Sequence, residues 1–504
     1  MPTYDRFSLR PVRHLVLLAG LIGGVEVASC STSQNNNSNG DTGGNDTGGT
    51  ASTGGSGGPA ITTGTGGSAQ TGTGGASTGG GGIGGSSGGA DAGAITGCGT
   101  SEWPTYGHDT QRTSASDGCM KGPLKLAWTY FPHGFLDSTI VSVDNTVTAG
   151  GAVFMRFTSS YGPQMDGVTT AGQMKWTWAG PKGRDTMTQH WAAAALGLLM
   201  VADDGLFLVD QATGANKVTV NEYDDWGQVT GDDKRFYINS ELDSPDGPGF
   251  YTAAWSATGT TVWKQDAHKK CDGISEKHGS LAVDGGKVFR SGVYSNGGPP
   301  ASGIATYDAA AGTAGWKVAT TPASAISVGG GHIYLIEDTG SVALVARQET
   351  DGMVAWSQPL TATPVSMQAP VVTGGLVIVA TASDVRAFNA STGVMAWTVP
   401  SVAAAVADKP GSGPFNTGAC AISIAWAAMP YSSLAAALGS NSLIVTAKDA
   451  IHVVSLTDGS DVWHGTPAGV TGPLRNPVIV GHTLYAVDLG AAGKPGRLVA
   501  LTSP

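Results

Sequence analysis

The sequence predicts an all-β fold: an eight-bladed β-propeller of four-stranded antiparallel blades, preceded by a disordered linker. Three observations predict it. A Gly-x-x-x-Trp unit recurs at intervals of one blade, short apolar runs alternate with turn residues between successive units, and the first hundred residues hold too few apolar side chains to build a core.

The unit recurs as Gly172/Trp176, Gly259/Trp263, Gly312/Trp316, Gly352/Trp356, Gly393/Trp397 and Gly459/Trp463, with Gly214/Val218 filling the one gap. Composition alone would give about two such pairs, so six at repeat-like spacing is signal. Measured from Trp128, the successive intervals are 48, 42, 45, 53, 40, 41 and 66 residues. A four-stranded propeller blade has a period of roughly 40–50 residues. In one module a glycine turn precedes the apolar strand Ile333 to Ile336, Glu337 to Gly340 turns into a strand ending at Arg347, and Glu349 to Gly352 turns into Met353-Val354-Ala355-Trp356. The next module repeats this with strands from Leu376 and Val385 and the turn Ala390 to Gly393. Glycine is wanted at the turn because positive φ costs it nothing, and tryptophan supplies an apolar plate for the seam between blades. Seven modules are complete between Trp128 and Trp463. An eighth, from about Pro473 to Ala500, lacks its last strand. Leu124 to Trp128 is expected to supply that strand from the other end of the chain and close the ring. Seven blades is the alternative if the degenerate modules around Val153 and Val218 do not form whole sheets.

The start of the chain reads as a targeting and tethering region. Arg6, Arg10 and Arg13 precede the apolar run Leu15 to Ile22, which falls short of the roughly 20 residues a membrane helix needs. Val27-Ala28-Ser29-Cys30 then resembles the lipobox of bacterial lipoproteins, which implies that residues 1–29 are cleaved and that Cys30 is acylated. Ser31 rather than Asp follows, which in that pattern is compatible with transfer to the outer membrane. From residue 31 to 97 the chain is almost entirely Gly, Ser, Thr, Asn, Asp and Ala, with Ile61, Ile83 and Ile95 as its sizeable apolar residues. Such a segment is a flexible tether spanning roughly 45–50 Å. Its G-x-S-x-G matches, such as those around Ser56 and Ser87, lack the flanking strand and helix that a nucleophile elbow needs. The expected domains are therefore the signal peptide 1–29, the tether 30–97 and the propeller 98–504.

Charge and cysteines narrow the function classes. The formal net charge is −11, and loss of residues 1–29 leaves −12, which argues against nucleic acid as a partner. Setting Cys30 aside leaves Cys98, Cys119, Cys271 and Cys420, an even number suited to an oxidising compartment. Cys98 with Cys119 is the expected pair, closing a loop around Trp103. Cys271 with Cys420 would fix the insertion of roughly 401–431, which also carries Trp426, over the channel mouth. No metal site is expected, because the ten His are scattered singly and no H-E-x-x-H or C-x-x-C spacing occurs.

The strand, glycine turn and Trp-ending strand resemble the pyrroloquinoline-quinone-type propeller repeat, and Trp103-Pro104-Thr105-Tyr106-Gly107-His108-Asp109 is similar to the opening segment of that superfamily. The resemblance implies fold more firmly than function. Its quinoprotein dehydrogenase branch implies adjacent cysteines, calcium-binding carboxylates and a catalytic Asp. This chain has no adjacent cysteines, and Asp203-Asp204, Asp224-Asp225 and Asp232-Asp233 read as turn residues. The non-catalytic lipoprotein branch, similar to the propeller lipoprotein of the outer-membrane β-barrel assembly machinery, fits better. No catalytic residue and no cofactor are therefore expected, with a quinone- and calcium-binding dehydrogenase or a carbohydrate-binding propeller as alternatives. The expected protein is a monomer held at the outer membrane by its lipid alone, on the periplasmic face or the cell surface, binding a protein or an envelope polymer. Candidate binding residues are His190, Trp191, Asp225, Trp226, Lys269, Lys270 and Trp426, in or near connections entering blades, where propellers usually bind.

Overall fold

In a computed structural model, the chain is described over residues 97–504 except 133–139, 160–161, 181–190, 204, 221–223, 243–248, 269–279, 295–300, 361–367, 374, 382, 401–432, 448–449 and 491–495. The described residues form eight antiparallel blades. Blade 1 is β3–β6 (Ile140–Ala149, Ala152–Ser159, Gly162–Thr169, Met174–Ala179) and blade 2 is β7–β10 (Trp191–Ala195, Leu198–Asp203, Gly205–Asp210, Asn216–Val220). Blade 3 is β11–β14 (Asp224–Gly231, Phe236–Leu242, Gly249–Trp255, Thr261–His268) and blade 4 is β15–β18 (Leu281–Asp284, Lys287–Tyr294, Ala301–Asp308, Ala314–Ala319). Blade 5 is β19–β22 (Ser327–Gly329, His332–Asp338, Val342–Gln348, Val354–Pro359) and blade 6 is β23–β26 (Val371–Thr373, Leu376–Ala380, Asp384–Asn389, Met395–Pro400). Blade 7 is β27–β30 (Leu434–Ala437, Ser442–Thr446, Ile451–Ser455, Asp461–Gly465) and blade 8 begins β31–β33 (Leu474–Val480, Thr483–Asp488, Arg497–Thr502). The modules around Val153 and Val218 are whole sheets, so the count is eight.

Blade 8 takes its outer strand from the start of the domain. β2 (Lys125–Tyr130) pairs antiparallel with β33, setting Trp128 opposite Ala500 and Tyr130 opposite Leu498. This joins the two ends of the propeller in one sheet and satisfies an edge that would otherwise be open. Blade 7 gains a fifth strand that the repeat did not announce: β1 (Ala115–Ser116) pairs parallel with β27.

The seams explain the repeat more fully than the turn alone. Gly393 has φ +71°, and a Cβ there would lie 2.6 Å from the Trp356 ring of the preceding blade. The Trp356 indole donates to Ala390 O in the same turn at 2.9 Å. The same bond links Trp128 to Thr170, Trp176 to Gln211, Trp263 to Ala309, Trp316 to Glu349 and Trp397 to Leu456. Each tryptophan therefore reaches under the glycine turn of the next blade, burying its plate and satisfying its one donor together. Interior strands are buried on both faces, as in Leu376–Ala380, which accounts for their continuous apolar runs. Among the described residues no helix is long and apolar enough to cross a membrane.

Candidate functional site

Strand direction gives the ring two unlike ends. Each blade's inner strand runs toward its first hairpin turn, which shares one end with the Gly-bearing third turn. The second hairpin and the connections to the next blade share the other.

At the first end, the segment from Trp103 to Cys119 winds across the axis and bonds to every blade. Backbone carbonyls of Trp103, Pro104, Thr110, Gln111, Thr113 and Ser114 accept from Thr148, Ala194, Val283, Val328, Val372 and Ala436, in blades 1, 2, 4, 5, 6 and 7, at 2.7–2.9 Å. Thr105 Oγ1 donates to Val229 O of blade 3 at 3.3 Å, and Cys119 N donates to Gly481 O beside blade 8 at 2.8 Å. Residues so close to an eightfold axis cannot pair in one regular ladder. Gly107, His108, Arg112 and Ser114 adopt φ of 77°, 79°, 61° and 53°, and such left-handed backbone in non-glycine residues persists only where surrounding contacts over-determine it.

Arg112 lies at the centre of this plug with no exposed surface. Its Nη1 donates to Tyr106 O at 2.9 Å, its Nε donates to Leu281 O, and its guanidinium stands 5.5 Å from the Tyr106 ring centre. Burial pushes the guanidinium down to about 10, opposed by Tyr106 and Asp109, and burial raises the Tyr106 phenol. The arginine stays charged at neutral pH, and carbonyl dipoles rather than a carboxylate hold its head. A disulfide joins Cys98 to Cys119 (Cα–Cα 5.2 Å), Gly99 N bonds to Asp117 O, and the chain thus enters the propeller at this sealed end.

Three of the candidate binding residues start inner strands at the other end. Trp191 opens β7 and Asp225 and Trp226 lie at the start of β11, neighbouring inner strands, each several residues from the plug-bonded Ala194 and Val229. The backbone thus brings these three to the end opposite the plug, on inner strands rather than in the connections. Asp224 and Asp225 correct the turn expectation: they pair with Leu242 and Glu241, and the ladder shifts register between Asp225 and Gln228. Asp232 does sit in a turn, accepting from Lys234 N and Arg235 N. Cys30, His190, Lys269, Lys270, Cys271, Cys420 and Trp426 lie outside the described residues. Toward the same end, fully buried Asp488 binds Arg497 Nη2 at 2.8 Å and Nε at 3.0 Å and accepts from Thr471 and Gly490 N–H groups. A cleft of about 220 Å³ lies between blades 7 and 8 at this end, lined by Ala447, Ile451, Thr466, Val470 and Leu474. It is smaller than the roughly 300–1,000 Å³ of typical small-molecule sites.

Sequence reading missed two groupings. The plug is invisible in composition because its partners are distant backbone amides. On blade 7, His452, Asp461 and His464 converge although twelve residues separate the histidines.

These features define an eight-bladed propeller sealed at one end of its axis by its own leading segment. Residues 300–412 match the family model described as outer membrane protein assembly factor BamB, and the chain is BamB-like to that extent. No curated protein matches the chain. Among solved structures, the quinohemoprotein alcohol dehydrogenase of Comamonas testosteroni is similar at 13% identity and TM-score 0.56, over 80% of each chain. A europium-containing methanol dehydrogenase is similar at 12% identity and TM-score 0.53, over 80% of this chain and 98% of that one. BamB from Moraxella catarrhalis is similar at 14% identity and TM-score 0.47, over 75% of this chain and 98% of that one. At these identities the likeness is one of fold.

Proposed function

We propose that the chain is a non-catalytic scaffold of the bacterial envelope, anchored by lipid at Cys30 on the outer membrane, whose propeller offers the end opposite its plug to a protein or envelope-polymer partner. The observation that carries this reading is the polarity of the ring. The plugged end, where residues 103–114 cross the axis, also receives Gly99 and the Cys98–Cys119 disulfide, whereas Trp191, Asp225 and Trp226 start inner strands at the opposite end. A long tether and a rigid disc suit presentation better than chemistry, and the family-model match to an assembly factor supports the same reading. Trp191, Asp225 and Trp226 start neighbouring inner strands, and tryptophan is a residue type enriched in binding hot spots.

Site-specific photocrosslinking in intact cells tests it. A photoreactive residue at exposed Thr339, in the second hairpin of blade 5, is expected to capture a partner; one at exposed Thr392, in a sealed-end turn, is not. Capture from Thr392 alone would reverse the polarity. In parallel, titration of the protein with pyrroloquinoline quinone and calcium is expected to show no saturable binding. Tight binding with dye-linked alcohol oxidation would replace the scaffold with a quinoprotein dehydrogenase.

A further inference from the structure

We propose that the outer edge of blade 7 is a binding site for a zinc-class divalent cation, held by His452, Asp461 and His464. His452 on β29 and His464 on β30 are direct cross-strand partners, and their rings stack at 5.4 Å with an interplanar angle of 29°. Asp461 Oδ2 lies 2.9 Å from His452 Nδ1 and 3.1 Å from His464 Nδ1, and the three ligand atoms all fall within 4.8 Å of one another. Ligand atoms bound to one zinc at about 2.0–2.1 Å stand roughly 3.3 Å apart in a tetrahedron, so two sides of this triangle already have that scale.

The backbone makes the convergence possible. Residues three apart in a regular strand point to opposite faces, which would separate Asp461 from His464. Here the ladder shifts register between Val453 and Val454, leaving Val462 as the extra residue. Such a bulge puts two residues of one strand opposite one of its partner and restores Asp461 and His464 to a single face. The same shift follows the glycine turn in blades 1, 3, 4, 5 and 6, so the three positions recur around the ring. In blade 1 they are Asp166, Met174 and Thr177, and Thr177 Oγ1 contacts both Asp166 Oδ1 (2.7 Å) and Met174 Sδ (3.5 Å). In blade 5 they are Val345, Val354 and Ser357, and in blade 6 Arg386, Met395 and Thr398. Blade 7 fills all three with the residue types that zinc prefers, two imidazoles and a carboxylate.

Exposure fits a site with an open coordination position. The His464 side chain is 67% exposed against 14% for His452, so one ligand is fixed in the sheet, one is free to adjust, and solvent or a partner's ligand can complete the sphere. A cation here would sit on the outer strand pair of blade 7, apart from the axis.

Isothermal titration of the full mature chain, stripped with chelator, with zinc chloride tests the site. One zinc per chain is expected, with His464→Ala and Asp461→Asn each weakening binding by at least about tenfold, since lesser changes around zinc ligands cost that much. His464 is exposed, so its variant is expected to keep the parent's thermal unfolding in chelator. Cobalt is expected to give visible absorption in the parent that His464→Ala loses. Absence of saturable zinc binding, or binding that neither substitution alters, overturns the proposal and leaves two imidazoles sharing a carboxylate by hydrogen bonds.

Discussion

At the scale of single residues, the contacts that matter are between blades rather than within the repeated unit. The sequence pairs Gly393 with Trp397, four residues on, whereas the structure packs Gly393 on Trp356 of the preceding blade. The unit is legible because both residues recur. Their true partnership is not, because it spans a whole module whose loop lengths vary. Gly331 offers a control: it has φ +78°, but nothing lies within 4 Å of where its Cβ would be. Alanine at Gly331 is expected to cost about 1 kcal/mol for the left-handed backbone alone. Alanine at Gly393 must also displace the Trp356 ring and is expected to cost at least about 2 kcal/mol more, by the usual price of overpacking. Urea unfolding of the two variants measures the difference; equal losses would show that the seam yields freely. His452, Asp461 and His464 were illegible for a related reason. Scattered histidines acquire a common face only through a cross-strand register and a bulge that no linear spacing reveals.

At the scale of elements, hydrophobic periodicity and turn chemistry located the blade strands, while the segment that crosses the axis escaped them. Residues 103–114 contain no strand-like alternation, and nothing about Arg112 or Ser114 marks them for positive φ. What fixes the segment is a set of amides from six blades, supplied by residues distant in sequence, together with its own buried guanidinium. The Cys98–Cys119 bridge closes its base, and the expectation of that pair rested on proximity along the chain. The turn reading of Asp224 and Asp225 failed because β11 begins at Asp224 and both residues pair with β12 across a register shift. If Arg112 holds the centre of the plug, Arg112→Ala leaves the carbonyls of Tyr106 and Leu281 without their buried donor and opens a cavity at the axis. The amides of Val283, Val328, Val372 and Ala436, which donate into the segment from four blades, are then expected to exchange hydrogen together, at least about tenfold faster than in the parent. Unchanged protection at those four amides would mean that the backbone bonds hold the plug without the guanidinium.

At the scale of the molecule, the ring is closed by a strand from each end of the folded chain, and this was legible from counting alone: the eighth module lacked one strand and the sequence before blade 1 had one to spare. Closure makes the chain's last residues structural. β33 lies between β2 and β32, pairing Ala500 with Trp128 on one side and with Tyr485 on the other. Leu498, Val499, Ala500 and Leu501 are all buried in the largest apolar cluster, beside Met155 and Phe157 of blade 1. A chain ending at Gly496 therefore loses the central link of blade 8, strands β2 without a partner, and exposes two sheet edges that invite other chains. Such a chain is expected to elute as aggregate in size-exclusion chromatography and to lack the parent's cooperative thermal transition. Its loss should far exceed that of a single core substitution, because every seam in a closed ring is supported from both sides and one missing strand releases the first and last blades together. A truncated chain that remained monomeric and melted near the parent's temperature would mean that seven seams suffice and that closure contributes little to stability.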